Sequence, residues 1–121
     1  MTTLTQSQIE VLHLHGCLQM QYQHPKKAVV LLRALLLCAP EFKPAQYSLA
    51  LASLQAQEYE LAIQWCQKLL AECDEEEKAA LYLCLSRAYW RLDKVDQARE
   101  SYGLYIDIHG NNQPEKLSGT Q

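Results

Sequence analysis

Three alanines constrain this chain more than any other feature. Ala28 and Ala62 lie 34 residues apart, Ala62 and Ala98 lie 36 apart, and each sits in a stretch whose apolar residues recur at steps of three and four. Twelve positions before each is another small residue, Gly16, Ala50 or Ser86, and twelve after each is a turn residue, Pro40, Asp74 or Gly110. Apolar steps of three and four make one face of an α-helix. Small residues on both members of a helical pair are what close approach of two helices demands. The stretch Leu81 to Tyr105 shows the unit most plainly. Tyr82, Leu85, Tyr89 and Leu92 line one helix, Asp93–Lys94 is a polar turn, and Val95, Ala98, Tyr102 and Tyr105 line the next.

Chance apolar periodicity would give helices without this register, so the pattern predicts three helical hairpins stacked side by side. Thirty-four residues is the length of a tetratricopeptide (TPR) repeat, and the two extra residues fit the acidic turn Asp74–Glu77. The expected fold is all-α: three tandem TPR-like hairpins forming a short right-handed superhelix with a concave groove. Residues 1–5 are a polar lead-in, and the domain runs over 6–109 with repeats near 9–42, 43–76 and 79–110. Residues 110–121, with Gly110 and Pro114, read as a disordered tail. Helix starts are expected at Gln6, behind a Thr5/Gln8 capping box, at Pro25 and Pro44, at Glu58, at the acidic run from Asp74, and at Val95. The corresponding ends fall near Tyr22, Cys38, Gln55, Glu72, Leu92 and Ile108. The repeats diverge in places. Leu49 and Leu85 precede the small residue where the first copy has His15. Seven positions after each alanine, where a third small residue belongs, stand Leu35, Leu69 and Tyr105, and Tyr105 predicts a third pair spread apart. TPR arrays usually end in an extra helix that covers the last repeat. Without one, Tyr102, Ile106 and Ile108 lie on an uncovered helix and form a second candidate partner surface.

At 121 residues the chain makes one domain with a continuous core. A net charge of -3 supplies no basic field for nucleic acid. The longest apolar run, Ala28–Ala39, is too short for a bilayer and is interrupted by Arg33, and no signal peptide precedes it. The expectation is a cytoplasmic protein without membrane insertion. Five cysteines, Cys17, Cys38, Cys66, Cys73 and Cys84, are odd in number and lack a C-x-x-C, which points to buried free thiols.

The first helix of each TPR pair lines the concave surface. In this register the groove positions are His13, Cys17 and Met20, then Tyr47, Leu51 and Leu54, then Leu83, Arg87 and Trp90. All but His13 and Arg87 are apolar or aromatic, counting Cys17, and a contiguous apolar surface of that size marks a binding site. Such a lining suits the apolar face of an amphipathic helix, with Trp90 and Tyr47 as anchors and Arg87 reading an acidic side chain or the carboxyl end of the bound helix.

The stretches Cys17–Phe42 and Tyr82–Gly110, and most specifically Leu-Cys-Leu-Ser-Arg-Ala at Leu83–Ala88, resemble the YscY family of small TPR-type chaperones of the bacterial type III secretion injectisome. The resemblance covers most of the chain outside the tail. It implies that the chain holds a partner of the YscX family, an early secreted substrate. It also implies that the pair docks on the cytosolic part of the export-gate membrane protein at the inner membrane. The family brings no catalytic residues and no cofactor.

Other chemistry finds no support. His13 and Cys17 lie four apart on one helix, but no second pair completes a tetrahedral metal site. For Cys17 or Cys84 as a nucleophile, nothing in the spacing supplies an orienting histidine and a third group, and Glu75–Glu77 reads as a solvated helix start. Lys26 and Lys27, at a helix N-terminus, are candidate contacts for an acidic partner surface. The carboxylate clamp that grips chaperone tails needs Lys, Asn and Arg where this chain has His13, Cys17, Ser48, Ala80 and Cys84. A scaffold whose groove is filled by a second copy is the alternative to the chaperone reading, and no enzyme is expected.

Overall fold

The computed structural model describes residues 3–111, which form six helices and, among those residues, no strand. These are α1 (Gln6–Gln21), α2 (Pro25–Cys38), α3 (Lys43–Gln55), α4 (Tyr59–Leu70), α5 (Glu75–Arg91) and α6 (Val95–Asn111). The local sequence explains the starts. Thr5 Oγ1 accepts the Gln8 backbone N–H at 3.2 Å and Gln8 Oε1 accepts that of Thr5 at 2.9 Å, so the capping box forms in full. Pro25 and Pro44 occupy the first turns of α2 and α3, where a missing N–H costs nothing. Asp74 makes no side-chain cap, so α5 begins on the favourable field between Glu75, Glu76 and Glu77 and the helix dipole.

The turns within the three hairpins repeat in atomic detail. Gln23, Gln57 and Asp93 each have a positive φ, between 65° and 67°. In each copy the residue after the helix cap bonds three back and the next bonds five back. The N–H of Gln23 donates to Met20 O and that of His24 to Gln19 O, at 3.1 and 2.8 Å. Gln57 and Glu58 do the same with Leu54 and Ser53, and Asp93 and Lys94 with Trp90 and Tyr89. These are Schellman caps, a conformation that favours glycine because a Cβ costs about 1 kcal/mol or more there. Gln57→Gly is therefore expected to stabilise the fold by about 1 kcal/mol, read as a higher urea midpoint with an unchanged slope.

Each helix packs on the next in sequence, and α3 also touches α1 and α5. The small-residue register sits where these helices pack. Gly16 is buried, and a Cβ there would lie 2.9 Å from Leu32 Cδ2. Ala50, Ala62 and Ala98 are buried too, and Ser86 Oγ donates to the Ala98 carbonyl at 3.1 Å. The third pair is thus not spread apart: α5 and α6 pack more extensively than any other two helices. Leu35 and Leu69 are fully buried at the position that Tyr105 holds half-buried, since no later helix lies over α6 among the described residues. One core cluster joins α2 and α3 through Leu32, Leu35 and Leu49. A second joins α4 and α5 through Cys66, Leu69, Leu81 and Leu85, and Trp65 packs against both.

Two further expectations need correction. Gly110 does not end the last helix, because α6 continues to Asn111; the rest of the expected tail lies outside the described residues. All five cysteines are free, but only Cys66 is fully buried, and Cys38, the last residue of α2, is exposed.

Candidate functional site

The nine groove positions divide by what neighbouring helices do to them. In α1 they turn toward α3. His13 Nε2 lies 2.7 Å from Ser48 Oγ, and Cys17 Sγ is 3.5 Å from that nitrogen and 3.6 Å from the hydroxyl. The His13 ring also meets Phe42 edge-on, with centroids 5.5 Å apart, and Met20 packs on the α2–α3 core. Burial holds the His13 imidazole below its ordinary 6.5, against a smaller upward pull from the Pro44 backbone. The unfolded chain then binds this proton more readily than the folded one. His13 contributes full stability above pH 6.5 and loses it as pH falls through the lowered folded value. The urea midpoint should therefore drop as pH falls below about 6.5, and His13→Gln should flatten part of that drop.

Tyr47 is also engaged within the chain. Its hydroxyl donates to Glu77 Oε1 at 2.7 Å, joining α3 to the first turn of α5. Burial and the Glu77 carboxylate hold the phenol above its usual range. Leu51, one turn before Leu54 on α3, is 44% exposed.

The remaining four positions, Leu54, Leu83, Arg87 and Trp90, line a single open cleft of about 820 Å³. From α6 the lining includes Val95, Ala98, Tyr102 and Tyr105, and Tyr59 at the start of α4 lines it as well. Tyr102, expected on a separate surface, therefore belongs to the same cleft as Trp90. Ile106 and Ile108 lie further along α6 and do not line it; Ile106 is exposed and Ile108 half-buried. Trp90 is 62% and Tyr102 48% exposed, so two large rings stand open to solvent at one place. Exposed aromatics of this kind are typical interface anchors.

Sequence register missed Tyr59, Arg91, Arg99 and Tyr105, all of which line the cleft. The signal for Arg91 was present, since Arg87 and Arg91 lie four apart on one helical face. The Arg91 guanidinium rests 5.6 Å from the centre of the Tyr59 ring. Tyr105 stands between Tyr102, at 5.7 Å, and His109, stacked at 5.3 Å.

Among the described residues no cluster of three or more His, Cys, Asp or Glu is placed to hold a metal, and no helix is long and apolar enough to cross a membrane. A hydrogen bond with Cys84 and burial push the Cys66 thiol up, which suits a core group.

No family model matches the chain. Curated proteins named Chaperone protein YscY, from Yersinia enterocolitica (including serotype O:8 / biotype 1B) and Yersinia pestis, are 35% identical to it over 111 residues. The matched region covers 92% of this chain and 96% of each relative.

Proposed function

The chain belongs to the YscY chaperone family, and from that premise we propose that it is a cytoplasmic type III secretion chaperone. Its cargo is one YscX-like export component, of which it holds a helical segment. In this reading the hairpins form a TPR-like right-handed superhelix, and α1, α3 and α5 line its concave side. The contacts of α3 with both α1 and α5 support that arrangement. The observation that carries the proposal is the cleft between α3, α5 and α6, where Leu54, Leu83, Trp90 and Tyr102 converge and the two rings remain open. Burying such rings against a partner removes apolar area from water at about 25 cal/mol per Å². The loaded pair would then be presented to the cytosolic domain of the export-gate membrane protein at the bacterial inner membrane. The protein acts by binding alone, without cofactor or catalysis.

Co-expression with the YscX-like protein of the same host tests this. The expected result is a stable 1:1 complex by light scattering, with the chain alone prone to association. A chain that is monodisperse alone and ignores that protein would refute it. A dimer that the YscX-like protein does not displace would instead favour self-association through the groove.

A further inference from the structure

We propose that the cleft is built for an acidic amphipathic helix, whose apolar face meets Leu54, Leu83, Trp90 and Tyr102 and whose carboxylates meet Arg87, Arg91 and Arg99. The inference rests on the binding reading above and adds the charge of the partner. The lining includes three arginines, three tyrosines and a tryptophan, and not one aspartate or glutamate. That is unusual for a chain carrying fourteen acidic against eleven basic residues. None of the three guanidiniums is in an ion pair among the described residues, although that of Arg91 rests over the Tyr59 ring. The ion pairs among the described residues are Lys43–Glu72 and Lys78–Glu75, both away from the cleft. Arg87 and Arg91 lie one turn apart on α5 and Arg99 lies on α6, so both helices bring cations to the lining of the cleft. All three are exposed, as are the rings beside them at Trp90 and Tyr102. Trp, Tyr and Arg together are the composition of an interface hot spot. A planar guanidinium with five donors is suited to grip carboxylates. A neutral apolar helix would satisfy the floor of this cleft and leave its rim unpaired. A basic one would be repelled.

The test uses fluorescence anisotropy of two labelled helical peptides with the full chain. One carries Leu at i, i+3 and i+7 flanked by Glu, and its twin has Gln for every Glu. The Glu peptide should bind about tenfold tighter or better at low salt, and the advantage should shrink in about 0.5 M salt. Trp90→Ala should weaken both peptides, which places them in the cleft. Arg87→Gln with Arg99→Gln should erase the Glu preference while leaving the Gln peptide's affinity in place. Equal binding of the two peptides, with Trp90 still required, would overturn the acidic preference and leave the cleft reading standing. Failure of both to bind, as when residues 112–121 or a second copy already fill the cleft, would overturn both.

Discussion

Replacing Trp90 with alanine and Leu54 with aspartate in one chain is expected to abolish co-purification with a bound partner while leaving a helical, folded protein. Trp90 is 62% exposed, so its removal costs the isolated chain little, whereas a partner that covers it loses an anchor worth about 2 kcal/mol or more. That alone is roughly a thirtyfold loss of affinity. Leu54, on α3, is half-buried and lines the same cleft. A carboxylate there meets one of two fates when a helix docks. Either it is dehydrated against apolar side chains, at about 1–3 kcal/mol, or it pairs with a cleft arginine and withdraws that cation from the partner. Both act against binding, and the two changes together should reduce affinity by about a thousandfold. Circular dichroism and a thermal melt check the fold. Retention of the partner by a folded double variant would show that the cleft is not where it sits.

The sequence made the register of the hairpins legible because close approach leaves few residue choices. Gly16 lies against Leu32 with no room for a Cβ, Ser86 bonds the Ala98 carbonyl, and Ala28, Ala50 and Ala62 are buried, so small residues recur visibly at fixed spacing. The turn conformation carried no such mark. Gln23, Gln57 and Asp93 hold left-handed backbone without glycine, tolerated because two backbone hydrogen bonds fix each turn. The groove list was legible only as a set of helix faces. Spacing gives the side of the helix on which His13, Cys17 and Met20 lie, but whether another helix covers that side depends on neighbours far along the chain. Ser48 and Phe42 cover His13, while nothing among the described residues covers Trp90. Arg99 and Tyr105 were not assigned to the groove for the converse reason. In the earlier hairpins the position matching Tyr105 is buried under the next helix, at Leu35 and Leu69, so a repeat-based reading assigns it to the core. Beside α6 it becomes a wall of the site.

The largest effect on stability is expected from Leu32→Ala, at about 2–5 kcal/mol, because Leu32 is wholly buried and sits where α1 and α2 meet. Its partner in that contact is a glycine, which makes the sign of a second change depend on the first. In the native chain a Cβ on Gly16 would lie 2.9 Å from Leu32 Cδ2 and 3.0 Å from Cγ, and the leucine is too enclosed to move aside freely. Overpacking of this kind costs about 1–3 kcal/mol, against about 1 kcal/mol gained by replacing glycine inside a helix. Gly16→Ala alone should therefore be neutral to destabilising. With Leu32 already cut back to alanine the obstructing atoms are gone, and Gly16→Ala should stabilise by roughly the full helix-propensity gain of about 1 kcal/mol while filling part of the void. Urea melts of the four chains give the coupling energy directly, expected at about 1–3 kcal/mol in favour of the pair. Additive behaviour would mean that α1 can shift away from α2 at no cost. The small-residue register, on which the three-hairpin architecture rests, would then not be what sets the helix spacing.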